Sequence, residues 1–295
     1  MSPAERSALV SDSKSDTNRV TLGEVLRRST DHLAARGAER PRLDAERLLG
    51  RSLGMERVEL YMHLDRPLTP PELDDARALL ARRAAGEPLQ YVLGEWGFRR
   101  LTLRVDGRAL IPRPETETLV ERCLALLDGE GAPRVLDVGA GSGAVALALA
   151  DEHPGARVTA IDVSEEALSL ARENAELTGL AVELLCHDLF AGLPGDGWDL
   201  VVSNPPYVRD DELASLAPEV ADWEPELALF DRGQTEALVR DASRALRPGG
   251  ALAIETHQDG ASGVAALLDR EGYVAVGTTK DLAGRDRVVE GRTPT

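Results

Sequence analysis

An α/β fold is predicted, with a mostly parallel, seven-stranded sheet covered by helices on both faces and a small helical domain ahead of it. Three observations lead there. From residue 115 onward, short apolar runs alternate with helix-length amphipathic stretches, as in a parallel sheet wound between helices. One of those runs, Arg134–Val138, opens into a glycine-rich turn. Residues 21–87 instead carry helical periodicity.

Taken in order, residues 1–20 are rich in Ser and Asp and lack a long apolar stretch, so they read as a disordered extension rather than a signal peptide. Leu22, Val25, Leu26 and Leu33 predict a helix over 21–36, with Thr21 and Glu24 as a capping box. Helices follow over 42–53 and 70–85, the latter opened by Thr69-Pro70-Pro71. Gly86-Glu87-Pro88 ends this helical domain, and a linker over 88–114 begins. Within it Phe98, Leu101, Leu103 and Val105 alternate, which predicts a β-hairpin turning at Asp106-Gly107. The last domain, 115–295, offers strands at Arg134–Val138, Arg157–Ile161, Val182–Leu185, Asp199–Ser203, Ala251–Glu255, Tyr273–Thr278 and Arg287–Glu290. Helices over 115–127, 143–152, 165–177, 235–246 and 260–270 lie between most of them. In such a sheet, ligands bind beyond the carboxyl ends of the strands.

Composition removes several function classes. No apolar run is long enough for a membrane span. The two cysteines, Cys123 and Cys186, form no CxxC pair, which argues against a zinc site or a disulfide framework and points to a reducing cytoplasm. Charge is uneven: residues 1–108 hold 19 basic against 17 acidic side chains, residues 109–295 hold 15 against 34. An acidic half is poorly suited to duplex DNA and fits a partner with a basic surface; solubility through net charge explains it equally well.

The chemistry-bearing motifs follow the predicted strands. In Asp137-Val138-Gly139-Ala140-Gly141-Ser142-Gly143 a strand turns through glycines into a helix, so backbone can approach a nucleoside closely. Asp137 either meets a cationic ligand or orders the loop, and it would repel a pyrophosphate. Asp162 ends the second strand about 20 residues further on, where a carboxylate can accept both hydroxyls of a ribose; capping the next helix is the alternative, a task open to Ser164 as well. Asp188-Leu189 follows the third strand, where Asp188 either reads an adenine amino group or forms a turn.

Asn204-Pro205-Pro206-Tyr207, after the fourth strand, is the most informative segment. Two prolines remove two backbone donors and stiffen the chain. The Asn204 side-chain oxygen and the Pro205 carbonyl can then accept two hydrogen bonds from one planar –NH2, with Tyr207 offering a flat face. His187 and His257 receive no role.

Together these motifs resemble the class I S-adenosylmethionine-dependent methyltransferases acting on planar nitrogen, whose fold is a Rossmann-like, seven-stranded sheet. Within that group Leu110-Ile111-Pro112-Arg113-Pro114-Glu115-Thr116-Glu117 resembles a segment of the release-factor glutamine N5-methyltransferases (the PrmC/HemK family). Gly86-Glu87-Pro88-Leu89-Gln90-Tyr91 with Gly94, and residues 42–49, are similar to that family's helical domain. The resemblance implies that Gly139, Ala140, Gly141, Ser142 and Gly143 lie against the methionine part of S-adenosylmethionine. By the same resemblance Asp162 holds the ribose and Asp188 and Leu189 flank adenine, leucine covering the ring by apolar contact where many relatives carry an aromatic residue. Asn204, Pro205, Pro206 and Tyr207 would hold the substrate, a glutamine in the Gly-Gly-Gln motif of a class I peptide chain release factor, with Asn204 also adjoining the cofactor. A monomeric, cytoplasmic enzyme is expected, with residues 21–87 docking the protein substrate.

Hydrogen bonds from both amide N–H groups would favour positive charge on nitrogen as the methyl arrives. Proton loss to water then needs no general base. Three rivals are weaker. An adenine-N6 methyltransferase shares the proline motif but needs a basic recognition surface. A non-catalytic release-factor-binding protein has no need of the intact motifs, and an oxidoreductase has no use for Asn-Pro-Pro-Tyr.

Overall fold

The computed structural model describes residues 20–208 and 216–295, so the extension expected over residues 1–20 lies, but for Val20, outside the described residues. The chain divides into two compact units, Met1–Leu93 and Gly94–Thr295. No helix among the described residues is long and apolar enough to cross a membrane.

The first unit is helical: α1 (Leu22–Ala35), α2 (Pro41–Leu53), α3 (Arg57–Met62), α4 (Pro70–Ala84) and α5 (Leu89–Leu93). Thr21 and Glu24 cap α1 reciprocally, and Thr69 and Glu72 do the same for α4 behind its two prolines. Leu22, Leu26, Leu33, Leu48, Leu49 and Leu60 are fully buried in its core, each contributing roughly 1.5–3 kcal/mol. Leu89 and Val92 of α5 join that core, in a segment the sequence reading assigned to the linker. Neither α3 nor α5 has enough turns for a helical period to register in sequence. Glu46 is buried, where Arg42, Arg57 and Tyr61 all donate to its carboxylate.

The second unit opens with the hairpin β1 (Glu95–Phe98) and β2 (Leu101–Arg104). Its turn is Arg99-Arg100, not Asp106-Gly107 as the alternation suggested. Phe98 and Leu103 are buried in the core and set the register. Arg99 takes a positive φ of 53° in the turn. Its backbone N–H donates to Glu117 (3.0 Å), and its guanidinium binds Glu152 through two bonds of 2.8 and 2.7 Å and Glu121 through one of 2.8 Å. Nothing in the local sequence marks an arginine for a conformation that favours glycine; the distant carboxylates hold it there.

Then follow α6 (Thr116–Leu126), β3 (Arg134–Val138), α7 (Ala144–Glu152), β4 (Arg157–Asp162), α8 (Glu165–Thr178), β5 (Glu183–Cys186), β6 (Trp198–Ser203), α9 (Pro218–Trp223), α10 (Gln234–Ala245), β7 (Leu246–Glu255), α11 (Ala261–Arg270), β8 (Val274–Lys280) and β9 (Asp286–Arg292). The seven-stranded sheet has the order β5-β4-β3-β6-β7-β9-β8. Its first five strands are parallel, while β9 runs antiparallel to both β7 and β8.

Alternate strand residues enter two cores. Val135, Leu200, Val202, Ala251 and Ala253 face one, with α6 and α7. Leu136, Val201, Leu252 and Ile254 face the other, with α10 and α11. A sheet buried on both faces accounts for the nearly continuous apolar runs. From β3 the chain winds outward through β4 to β5, then returns to place β6 on the other side of β3. The crevice at this reversal, beyond the ends of β3, β4 and β6, is where a ligand fits.

Arg99→Gly and Arg99→Ala lose the same ion pairs, but only glycine relieves the left-handed conformation. The glycine variant is therefore expected to be the more stable of the two by about 1 kcal/mol in urea unfolding. Equal midpoints would show that the turn carries no strain.

Candidate active site

The glycine loop is tied back onto the neighbouring strand. Gly139 and Ala140 both donate their N–H groups to the Ile161 carbonyl, at 2.8 and 2.9 Å, and Gly141 N–H donates to Asp162 Oδ2 at 2.9 Å. A second tie comes from α8, where fully buried Asn174 accepts from Arg104 N–H (2.7 Å) and donates to the carbonyls of Arg104 and Ser142. Asn174 thus links hairpin, loop and helix, a role invisible in sequence because its partners lie 70 and 32 positions away.

Loop and strand ends enclose a cavity of about 400 Å³ built wholly from the second unit. Of the residues singled out in the sequence, Gly139, Ala140, Gly141, Ser142, Asp162, Asp188, Leu189, Asn204, Pro205 and Pro206 line it together. Gly143 and Tyr207 are not in the lining. Gly143 has a φ of 82°, and a Cβ there would stand 3.2 Å from Cβ of Ala171, so it lets α7 begin close against α8. The Tyr207 ring packs with Val208, Leu229 and Phe230 and lies 6.1 Å from the His257 ring, tilted by 38°. Burial, with the charge of Glu255, raises its phenol.

Asp137 also stays out of the lining. It is buried beneath the loop and accepts from Ala146 N–H in the first turn of α7 (3.1 Å), so it orders the loop. Burial pushes its carboxyl up to about 8, against the pull of that N–H and helped by the nearby charge of Asp162. Asp162 Oδ1 accepts from Ser164 N–H (2.9 Å), while Ser164 itself caps α8 by accepting from Ala167 N–H. Burial raises the Asp162 carboxyl, and three backbone N–H groups oppose the shift. Each of its oxygens keeps a further lone pair for a ligand hydroxyl. Asp188 caps the short 3-10 turn Leu189–Ala191 by accepting from Phe190 N–H, at 2.9 Å. Phe190, 55% exposed and part of the cavity wall, is an aromatic group that the sequence reading passed over. His187 also lines the cavity, its ring nitrogen 2.6 Å from the Gly192 carbonyl.

At the end of β6, Ser203 Oγ donates to the Val138 carbonyl (2.6 Å) and locks the two strand ends together. Asn204 Nδ2 donates to Thr116 Oγ1 (3.3 Å), whereas Asn204 Oδ1 is buried and has no partner among the described residues. An unsatisfied buried acceptor costs about 1–3 kcal/mol, so it marks a place prepared for a donor. Thr116 lines the same cavity. Leu110, Ile111 and Arg113 of the preceding loop line it too, and buried Glu224 holds that loop by pairing with Arg113. Burial raises the Glu224 carboxyl, opposed by Arg113 and the Ile111 N–H.

Such a fold, with such a cavity at its switch point, is that of a methyltransferase, and comparison with known proteins makes the class specific. Residues 116–220 match the family model described as the Methyltransferase small domain, and residues 24–94 that of the PrmC N-terminal domain. A release factor glutamine methyltransferase from Geobacter sulfurreducens is 43% identical over 92% of this chain and 96% of its own length. One from Deinococcus radiodurans is 44% identical over 92% and 98%. A methyltransferase of Pyrococcus furiosus shares the fold, with a TM-score of 0.50 and 19% identity over 76% of this chain and 99% of that one. The chain belongs to the release factor glutamine methyltransferase family and is an S-adenosylmethionine-dependent protein methyltransferase.

The residues fit that cofactor. Gly139 and Gly141 have positive φ, and a Cβ added at Gly139 would meet nothing, so the loop leaves backbone bare at the cavity wall. Asp162 supplies a carboxylate beside it.

The buried Asp137 gives a pH-dependent stability. Unfolded, it loses its proton near about pH 4; folded, it keeps it to about 8, so its contribution is present at low pH and lost as pH rises through that window. Asp137→Asn keeps an acceptor for Ala146 and cannot ionise. The melting temperature of this variant, relative to wild type, is expected to climb between about pH 4 and about pH 8 and to level off above that. A pH-independent difference would mean that Asp137 ionises there without cost.

Proposed function

We propose that the enzyme methylates the side-chain amide nitrogen, N5, of the glutamine in the Gly-Gly-Gln motif of a class I peptide chain release factor. The buried Oδ1 of Asn204 in the cavity wall, without a partner among the described residues, carries this reading, because its natural complement is an N–H donor of a planar group. The names of the relatives, release factor glutamine methyltransferases, supply the substrate.

An amide nitrogen is a poor nucleophile, since its lone pair is delocalised into the carbonyl. S-adenosylmethionine supplies an electrophilic methyl group on a sulfonium. Asn204 Oδ1 and the Pro205 carbonyl accept the two amide N–H bonds, orient the lone pair and stabilise the positive charge that develops on nitrogen. Pro205 and Pro206 keep this corner rigid, and Tyr207 supports the turn from behind. Gly139, Ala140, Gly141 and Ser142 hold the methionine moiety, Asp162 the ribose, and Asp188 and Leu189 the adenine. Gly143 contributes by packing. The proton leaves to water. We assign docking of the release factor to the helical unit, residues 21–93, and the reaction to the cytoplasm.

Asp162→Ala is expected to weaken cofactor binding by roughly 1.5–3 kcal/mol, read by calorimetry. Unchanged affinity would remove Asp162 from the ribose site.

Asn204→Ala is expected to slow methyl transfer about 100- to 1000-fold at saturating cofactor, with little change in cofactor affinity. Asn204→Asp retains an acceptor and some activity. Single-turnover labelling of a release factor, followed by peptide mapping of the glutamine, tests both. A rate within a few-fold of wild type for the alanine variant would reduce Asn204 to part of a rigid turn.

A further inference from the structure

A carboxylate taken out of water needs hydrogen-bond donors, and the wall of this cavity offers few that are not already in use. The glycine loop commits most of its own. Gly139 and Ala140 donate to the Ile161 carbonyl, Gly141 to Asp162, and Gly143 to the Ala140 carbonyl at 2.8 Å. Four of the five N–H groups over Gly139–Gly143 are thus held within the protein. Asp162, Glu166, Asp188 and Glu226, also in the lining, would repel an anion.

Two arginines line the cavity as well, and they differ. Arg108 Nε and Nη2 donate to Asp106 at 2.8 and 2.7 Å and Nη1 to Glu173 at 2.7 Å, so every nitrogen of that guanidinium is occupied. Arg113 donates through Nη2 alone, to Glu224, and its Nε and Nη1 have no partner among the described residues. Its place is fixed. Pro112 and Pro114 restrict the chain on either side, and the Arg113 carbonyl accepts from Thr116 N–H (3.1 Å) where α6 begins. Glu224, buried, holds the guanidinium from one end. Along the chain Arg113 falls between the two walls of the site. Ala109 before it lies against the glycine loop, 4.0 Å from where a Cβ of Gly141 would stand, and Thr116 after it accepts from Asn204.

We propose that Arg113 binds the carboxylate on the methionine part of S-adenosylmethionine through the guanidinium nitrogens that Glu224 leaves unused. The proposal rests on the placement of that methionine part against the glycine loop. A guanidinium fork matches a carboxylate in shape and charge. It is unsuited to the other polar group expected here, the substrate amide: a cation donating to the amide carbonyl would draw the nitrogen lone pair away from the methyl group. With Asp162 on the ribose and Arg113 on the carboxylate, the cofactor is fixed on both sides of its sulfonium.

The test is calorimetry on the full-length protein without release factor, using S-adenosylmethionine and decarboxylated S-adenosylmethionine, which lacks only that carboxylate. Wild type is expected to bind the first about 10- to 100-fold more tightly than the second. Arg113→Gln should lose most of that preference, weakening S-adenosylmethionine by a similar factor and leaving the decarboxylated ligand nearly unchanged. Arg113→Lys, which keeps a cation for Glu224 but has no fork, should fall between the two. An Arg113→Gln protein that binds S-adenosylmethionine as tightly as wild type overturns the proposal. Equal losses for both ligands in the glutamine and lysine variants overturn it too, because Arg113 would then serve only to hold its loop. Asp162→Ala tests the underlying placement separately, since both ligands carry the ribose and should weaken alike; unchanged affinity for both in that variant overturns the placement of the cofactor instead.

Discussion

The Ile161 carbonyl accepts two hydrogen bonds, from Gly139 and Ala140, and most of the site depends on them. They fold the glycine loop back over the end of β4 instead of letting it run straight into α7. Gly141 N–H then meets Asp162, and the loop backbone becomes one wall of the cavity. The opposite wall is positioned by an equivalent tie, Ser203 to the Val138 carbonyl, which brings the end of β6 level with β3. With strand ends so joined, the Asn-Pro-Pro corner and the glycine loop face each other across the switch point of the sheet.

Three carboxylic acids in and beneath the walls of this cavity have pKa values raised chiefly by burial, and each has a separate task. Asp137 orders α7 from beneath the loop. Asp162, in the wall, ties loop to helix and retains lone pairs for a ligand. Glu224 holds the Leu110–Arg113 loop through Arg113. Burying charge is costly unless it is compensated, so the clustering concentrates unfavourable electrostatics where a ligand can relieve part of it. The strong acidity of the second half of the chain is therefore more than surface solubility: part of it lies inside, at the site.

Much of this was legible in the sequence. Both faces of the sheet are buried, so strands appear as continuous apolar runs, and glycine turns with acids at strand ends mark the ligand-binding edge. Gly139–Ser142, Asp162, Asp188, Leu189, Asn204, Pro205 and Pro206 could be singled out because each sits at the carboxyl end of a strand. The short helices α3 and α5 were not legible, having too few turns to repeat a period. The hairpin turn was misplaced by seven positions, because Arg99 is held at positive φ by Glu152, Glu121 and Glu117 rather than by local preference. Aromatic Phe190 reaches the cavity wall through the short 3-10 turn Leu189–Ala191, which has no period to register in sequence.

By itself the sequence determined which elements form and which residues gather at the sheet's ligand edge, since periodicity, glycine and proline act over a few residues. Tertiary structure alone decided which of those residues share a wall and which atoms remain unpaired there. Gly143 turned out to serve helix packing against Ala171, and Tyr207 to pack beside His257. Thr116 lies 88 positions from Asn204, yet its hydroxyl accepts the Asn204 amide N–H. Hydrogen bonds of such range have no local signature, because either partner could satisfy its needs in many ways until the fold brings the two together.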